Sequence, residues 1–465
     1  MAALQSFGEV NFGAAQLGNK ARTRRLVSVA NQLMRHPSGT LPQKLCDPAA
    51  LQATYRLMNC DKVTHAAVLA PHREQTLRRL ADETGPWLVV SDGTEFDYTS
   101  ITSLQKLGQI GNGECRRRRY ICQNCLVVEP QTRQAVGLIN QILHTRADVP
   151  AGETKEQSRR RDSRESRLWP DGTRDLPGDR RLIVVCDRGG DTFEELEHEQ
   201  TSGRRFVIRS RHNRRILTGH QGESQKQFLE STLQQQSVLG TFTLEISAAS
   251  GRTARAASLC VSSAAVRLLP PVQKRGEYSD QPLALWAVRV WEPDPPRGET
   301  GLEWVLFTNE PIASFENAWQ VIEWYECRWV VEEYHKALKT GCNIENLQFC
   351  DEARLEPMIA LLSVVALTLL NLRDASRRSD AKQIPATKLV AQEYVEVLSL
   401  WRHQEIRPTW SAHDFFQSLA RLGGHQNRKH DKPPGWLVLW RGWTSLQLLA
   451  SGAAAERHRK KRDKT

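Results

Sequence analysis

"PWLVVSD", residues 86–92, is a run of aliphatic residues closed by an aspartate, and "RLIVVCD", residues 181–187, repeats the pattern. Short apolar runs rich in valine and isoleucine, flanked by turn formers, read as buried strands, here ending at Asp92 and Asp187. Between them "RYICQNCLVVE" (119–129) and "QAVGLINQIL" (134–143) read as two more strands spaced as a meander. Past Asp187 follow a helical "DTFEELEHE" (191–199) and the strand "RRFVIRSR" (204–211). Three strands, a loop, a strand, a helix and a strand predict an α/β sheet.

On the amino-terminal side, residues 1 to about 70 read as helices. In "ARTRRLVSVANQLM" (21–34) the apolar positions Leu26, Val29, Ala30 and Leu33 recur at helical spacing, preceded by Arg22, Arg24 and Arg25. A second helical stretch, "LQATYRLMNCDKVTHAAVLAPH" (51–72), carries Tyr55 and Arg56. Small helical units with clustered arginines dock on DNA, and a solvated basic face is an equal reading. Residues 151–180 have mixed charge and many turn formers, so they read as a surface loop whose arginines, Arg159 to Arg167, are candidates for contact with a nucleic-acid backbone. From about 215 to 310 the chain is strand-like and turn-punctuated, an insertion of β structure. Beyond it lie helices to about 373, a polar link "RDASRRSDAKQIP" (373–385) and a helical segment with a basic tail.

The chain has 465 residues, long enough for about three domains. Its 64 Lys+Arg against 53 Asp+Glu give a net charge of +11, which favours a polyanionic partner over an acidic small molecule. The ten cysteines are scattered and no secretory signal opens the sequence, so a reduced, cytoplasmic protein is expected. Cys122 and Cys125 form a lone Cys-x2-Cys without a second pair at finger spacing, which argues against structural zinc. The apolar run from Met358 to Leu372 falls short of the roughly 20 residues a membrane span needs and reads as a buried core helix. No membrane partner is expected.

One stretch carries unusual chemistry. In "WYECRWVVEEYHKALKTG" (324–341), Tyr325, Arg328, Glu332 and Lys339 fall on one face of a continuous helix. A phenol, a guanidinium, a carboxylate and an amine on one stripe suit a cation beside a phosphodiester. Asp92 and Asp187 would supply the remaining carboxylates, although an aspartate after a strand is by itself more often a turn former. Asp97 and Asp191 lie beyond the apolar runs that fix a side chain at the sheet edge. Glu333 points about 100° away from the stripe, and His335 reads as a surface histidine. Gly-x-Ser-x-Gly, His-Glu-x-x-His and a Walker loop are all missing, so metal-assisted phosphoryl transfer is the chemistry that fits.

Tyr325-x2-Arg328-x3-Glu332-x6-Lys339, with Asp92-Gly93-Thr94 and "VVCDRGGD" ahead of it, resembles the signature of bacterial insertion-sequence transposases of the insertion-sequence-four family. The resemblance runs almost end to end, through "RTRRLVSVANQL", "ATYRLMN", "RRFVIRSRH", "LEWVLFTNEP" and "GWLVLWRGW". It implies a ribonuclease-H-like catalytic core with an inserted β-sheet over residues 71–375, flanked by a helical end-binding domain over 1–70 and a helical dimerisation domain over 376–465. By this likeness Asp92, Asp187 and Glu332 hold two Mg²⁺ ions, replaceable by Mn²⁺. Tyr325, Arg328 and Lys339 hold phosphates at the transposon end, and Trp304 stacks on a flipped base. Arg22, Arg25, Tyr55 and Arg56 belong to end recognition, and Arg209 and Arg211 to backbone contacts. Trp436, Trp440 and Trp443 fall in the dimer contact, with intradomain core as the other reading. The implied activity is nicking, hairpin formation, hairpin opening and strand transfer by a homodimer on double-stranded DNA in the bacterial nucleoid. The rival readings are a DNA-binding protein or inhibitor derived from a transposase, and a structure-selective nuclease.

Overall fold

The computed structural model describes residues 6–36, 39–104, 107–108, 119–145, 152–154, 157, 161, 163–218, 225–246, 253–272, 278–377, 380–407, 409–428, 431 and 433–462. Five helices open the chain: α1 (Phe7–Phe12), α2 (Lys20–Arg35), α3 (Leu41–Leu45), α4 (Pro48–Met58) and α5 (His65–Asp82). Asn19 caps α2 by accepting from the Arg22 amide at 2.9 Å, and the predicted Leu26, Val29, Ala30 and Leu33 are the buried face. Helix α5 leaves this module and lies across β3 (Gln134–His144). The approach is close: a Cβ on Gly137 would stand 2.2 Å from Thr76 Oγ1, so only glycine fits there.

The other strands are β1 (Trp87–Asp97), β2 (Arg119–Glu129), β4 (Leu182–Cys186), β5 (Arg205–Arg209), β6 (Arg215–Thr218), β7 (Gln225–Phe228), β8 (Gly240–Ile246), β9 (Arg255–Leu268), β10 (Leu283–Trp291) and β11 (Glu303–Thr308). They join in one eleven-stranded sheet ordered β3-β2-β1-β4-β5-β11-β10-β9-β6-β7, with β8 beside β9. Among the described residues only the pairs β1·β4 and β4·β5 are parallel. The inserted strands therefore extend the first sheet and do not form a second one, because β11 returns to β5 in the register Leu306↔Arg209 and Phe307↔Ile208. A free edge of β5 would expose unpaired amides and carbonyls, and β11 covers it.

Helices cover both faces. On one side α6 (Leu168–Thr173) and α7 (Phe193–Thr201) pack on Val89, Val127 and Val184, and α8 (Leu229–Gln234) adds Leu229 and Leu233. On the other side α9 (Phe315–Glu326), α10 (Trp329–Lys336) and α11 (Glu352–Arg377) pack on Leu88, Val90 and Val290. Cys122 belongs to the second core and Cys125 to the first, so the pair lies on opposite faces of the sheet and does not converge on a metal. The window Glu352–Asn371 has the length and apolarity of a membrane span, contrary to the length argument above, yet 78% of it is buried inside the fold. Helix α11 also runs on to Arg377, taking in the start of the stretch read as a link. The boundaries at 70 and 375 thus both fall inside helices.

The last elements are α12 (Gln392–His403), α13 (Ala412–Leu422) and α14 (Trp436–Arg462). Gly423 and Gly442 let α13 and α14 touch, since a Cβ on Gly442 would stand 1.9 Å from the Leu419 carbonyl oxygen. Trp436, Trp440 and Trp443 are buried here, with Trp443 against Tyr394 and Phe415, so they form intradomain core and not a dimer surface.

The amino-terminal module is fastened to the rest by a buried lysine. Lys44 Nζ donates to the Cys342 carbonyl at 2.7 Å, and burial pulls its pKa down to about 8. Between that value and the ordinary value near 10.4 the unfolded chain binds the proton and the folded chain does not, so this group favours folding more as pH rises. The stability of the parent relative to Lys44→Met is expected to rise by on the order of 2 kcal/mol from pH 8 to 10. Urea unfolding of both proteins across that range measures it, and a constant difference would refute the assignment.

Candidate active site

The parallel pairing of β1 and β4 ends at Ser91↔Cys186. The next residues on the two strands are Asp92 and Asp187, so the carboxylates emerge side by side where the strands part. Asp187 does close its strand, as expected. Asp92 does not: β1 continues through Asp97 because Gly93 to Asp97 keep pairing with β2, down to Asp97↔Arg119. Each aspartate is pinned by a neighbouring amide. Asp92 Oδ1 accepts from Gly93 N at 2.8 Å, and Asp187 Oδ1 accepts from Gly189 N at 2.7 Å as cap of the turn Arg188–Gly190. The two glycines of that turn fit under Trp169, whose ring a Cβ on Gly189 would approach to 2.5 Å.

Glu332 reaches the same place from α10, which rests on β1 and β2. Between the carboxylates lies Arg328. Its Nη1 donates to Asp92 Oδ2 at 3.1 Å and its Nη2 to Glu332 Oε1 at 2.7 Å. The guanidinium carbon is 5.1 Å from the Trp329 ring and 5.9 Å from the Tyr325 ring, within cation–π range of both. Arg328 is 8% exposed, and its Nε is buried without a partner. Burial pushes the Asp92 carboxyl up to about 6, and the Asp187 charge adds to the rise while Arg328 and the Gly93 amide oppose it.

The four signature residues do not share a continuous helix. Helix α9 ends at Glu326, and the amides of Arg328, Val330 and Val331 bond to carbonyls three residues back, a tight turn that resets the phase. Farther on, residues Ala337–Gly341 form a π turn closed by Cys342 N to Ala337 O at 2.8 Å, and Lys339 sits in it. Lys339 Nζ lies 3.8 Å from Glu345 Oε1, which also accepts from the Asp97 amide at 2.9 Å. Tyr325 is buried beside Arg328.

Other expected residues fall as follows. Trp304 is half-buried in β11, opposite Val290, and packs against the core with its indole nitrogen buried and unpaired. Arg209 ends β5, and because β4 and β5 are parallel it leaves the sheet at the same edge as Asp187. Arg211 is exposed just beyond. Arg22 is partly covered and bonds Leu17 O at 3.0 Å, whereas Arg25 and Arg56 are exposed. Tyr55 sets its ring edge against Phe349 at 5.6 Å. Of the basic loop, Arg159 and Arg160 lie outside the described residues. Arg161 pairs with Glu153 and Arg164 with Glu194, the latter at 2.5 Å.

His335 is not on the surface. It is buried, its Nε2 meets Asn124 Nδ2 at 3.2 Å, and burial, with Lys339 and Arg328 nearby, lowers its pKa to about 3, so it accepts as a neutral ring. Asn124 Oδ1 in turn accepts from Gln141 Nε2 at 2.7 Å, Gln141 Nε2 also reaches Ser363 Oγ at 2.9 Å, and Gln141 Oε1 meets His65 Nε2 at 2.9 Å. This polar chain links the helix of Glu332 through β2 and β3 to α5, and the sequence reading missed it. Its signal was present as "QN" and "NQ" inside otherwise apolar strands.

A family model for the transposase DDE domain matches residues 83–369, and one described as transposase DNA-binding matches residues 5–63. The chain belongs to the DDE transposase family. It carries a nucleic-acid-binding module of the transposase kind ahead of a DDE domain, so its partner is DNA and its class is that of transposition enzymes.

The flanking carboxylates have other work. Asp97 and Glu95 bind Arg119, at 2.6 and 2.5 Å, and Glu333 binds Lys336 at 2.9 Å. Asp191 is 4% exposed and accepts from Arg214 Nη2 at 2.8 Å and from the amides of Arg211 and His212 at 2.6 and 3.2 Å. It fixes the strand exit that carries Arg211. Asp191→Ala removes the carboxylate that pairs with Arg214 and accepts the Arg211 and His212 amides, leaving Arg214 only the carbonyl of residue 191, and is expected to lower stability by about 3 kcal/mol. A shift of the urea midpoint checks this, and an unchanged midpoint would contradict the anchoring role.

Proposed function

We propose that this protein is a cut-and-paste DNA transposase of the insertion-sequence-four kind and that Asp92, Asp187 and Glu332 are its catalytic carboxylates. The observation that carries the reading is the convergence itself: two aspartates leave parallel strands side by side, and Arg328 ties one of them to Glu332. The antiparallel β3-β2-β1 continued by parallel β4 and β5 supports a ribonuclease-H-like core.

Among the described residues, no three of His, Cys, Asp or Glu are gathered tightly enough to hold an ion as they stand. The donor set nonetheless fits one. All three groups offer carboxylate oxygens, which hard divalent cations prefer, and Asp92 is raised first by burial and next by the Asp187 charge beside it. Asp92, Asp187 and Glu332 would hold Mg²⁺, or Mn²⁺ in its place, two ions per site, activating the nucleophile and stabilising the leaving oxygen.

The chain's own residues position DNA. Arg328 grips a phosphate bidentately in the DNA complex, Lys339 adds a point charge farther along the signature, and Tyr325 backs the guanidinium. Arg209 and Arg211 stand at the edge shared with Asp187 and follow the backbone. The exposed Arg25 and Arg56, with Arg22 and Tyr55, bind the transposon end. Water nicks the end, the freed 3′-hydroxyl attacks the opposite strand to give a hairpin, a second water opens it, and the 3′-hydroxyl joins target DNA. Each step is an in-line displacement at phosphorus, so one site serves all four. Trp304, half-buried on β11, serves as the stacking surface for the displaced base. The setting is the nucleoid in a bacterial cytoplasm.

Two ends are brought together by two copies of the chain. With the tryptophans of α14 in the core, the carboxyl-terminal surface left for the contact includes Leu400 and Trp401 on α12 and Leu448 and Leu449 on α14, all exposed.

With Mg²⁺ the purified protein is expected to cut DNA carrying the terminal repeats that bracket its gene. Asp92→Asn and Glu332→Gln should each slow cutting by roughly a thousandfold while end binding in gel shifts is retained. Normal cutting by both variants would sink the site. Trp401→Asp with Leu448→Asp should convert the end-bound dimer to a monomer in sedimentation velocity, and a persisting dimer would place the contact elsewhere.

A further inference from the structure

Arg328 occupies the ground a cation would need. Its two terminal nitrogens take one oxygen from Asp92 and one from Glu332, at 3.1 and 2.7 Å, and its guanidinium carbon lies 5.9 Å from the Tyr325 ring and 5.1 Å from the Trp329 ring. A magnesium ion needs those oxygens at about 2.0–2.1 Å in near-octahedral array, which leaves no place for a planar cation between the same two groups. A guanidinium and a divalent ion so close would also repel strongly in a buried setting. The two are therefore alternatives at Asp92 and Glu332.

We propose that Arg328 is a DNA-operated gate on metal loading: in the DNA-free chain it closes Asp92 and Glu332 to the cation, and a DNA phosphate draws it away and opens them. The proposal rests on the reading of Asp92 and Glu332 as metal ligands. A phosphate is the partner that can compete for this arginine, because it offers the same bidentate geometry as a carboxylate. The surroundings suit a moving group. Arg328 lies at the tight turn between α9 and α10, outside the regular part of either helix, and its Nε has no partner to give up. The flanking rings attract the guanidinium by its charge and not through a fixed hydrogen bond, so they remain favourable while it slides. Asp187, held by the Gly189 amide and not by Arg328, stays available in both arrangements. By linkage, the metal must then favour DNA binding by the same factor as DNA favours the metal. A transposase gated in this way holds its cutting ions only where a transposon end is already seated.

The test is Mn²⁺ binding by the full-length protein, read from the paramagnetic resonance signal of free Mn²⁺. It is run without DNA and with a duplex carrying the terminal repeats that bracket the gene, duplex alone being subtracted. Without DNA, Arg328→Gln is expected to bind Mn²⁺ roughly tenfold more tightly than the parent, and Asp92→Asn in that background to remove the gain. The duplex should raise the affinity of the parent towards that of Arg328→Gln and change the variant little. Arg328→Lys, which presents a single point charge to two carboxylates, should fall between and carries the test if Arg328→Gln fails to fold. If Arg328→Gln and Arg328→Lys bind Mn²⁺ no more tightly than the parent, while Asp92→Asn and Glu332→Gln abolish binding, the gate is overturned and the ligand assignment stands. Mn²⁺ binding indifferent to Asp92→Asn and Glu332→Gln overturns the ligand assignment itself.

Discussion

The bridge from Arg328 to Asp92 and Glu332 joins parts of the chain 236 residues apart, and the site has its shape because that bridge must be satisfied. Three carboxylates brought to one edge repel one another and lose hydration, each effect worth several kcal/mol when uncompensated. One guanidinium relieves part of this, and the Asp92 carboxyl still stands at about 6, raised first by burial and then by the Asp187 charge. A rigid scaffold must hold the residual strain. It comes from the parallel β1·β4 pair, aliphatic on both faces, and from α10 packed across β1 and β2.

The scaffold around the bridge is polar where an ordinary core would be apolar. His335, one turn past Glu332, accepts from Asn124 on β2, which leads to Gln141 on β3, Ser363 on α11 and His65 on α5. A buried chain of this kind is worth having only when each member finds a partner, and once satisfied it fixes the register of the helices that bear it. It sets where α10 stands on the sheet, and so where Glu332 stands relative to Asp92. The two glycines after Asp187 act on the other side, admitting Trp169 over the turn that caps the second aspartate.

Much of this was legible in the sequence, and the parts that were not share a cause. The strands around Asp92 and Asp187 could be read because a buried parallel pair is a run of valines and isoleucines with no alternation to mislead. The three carboxylates could be proposed as a set because Glu332 sits in a recognisable spacing and the two aspartates follow apolar runs. The geometry of that spacing was misread: a helical wheel assumes one pitch, and the chain inserts a tight turn at Arg328 and a π turn at Lys339. His335 reads as a surface residue and the carboxyl-terminal tryptophans stay open between a dimer contact and core, because their burial is decided by neighbours far along the chain. The single sheet escaped notice for the same reason. Pairing of β11 with β5 lies nearly a hundred residues apart in sequence, and no local pattern records it.

The same long-range contacts tie recognition to chemistry. Residues 339–349 follow directly from the signature and are held from both sides. Glu345 takes the Asp97 amide and lies beside Lys339, and the Ile344 carbonyl accepts from the Tyr98 hydroxyl at 3.1 Å, all at the far end of β1. From the amino-terminal module Lys44 binds the Cys342 carbonyl, Gly39 N donates to Asn343 Oδ1 at 3.2 Å, and Tyr55 packs on Phe349. Asn343 takes a positive φ of 49°, a conformation that asparagine tolerates better than most residues and that turns the chain sharply between these two sets of contacts. A displacement of the module by bound DNA therefore has a short, buried path to Lys339 and the end of β1, the strand that carries Asp92. Its links are hydrogen bonds to the Cys342 and Ile344 carbonyls and to the Asn343 and Glu345 side chains, with one ring contact at Phe349. The DNA-binding module and the carboxylates are thus joined through these contacts, and the gate proposed at Arg328 would stand at one end of them.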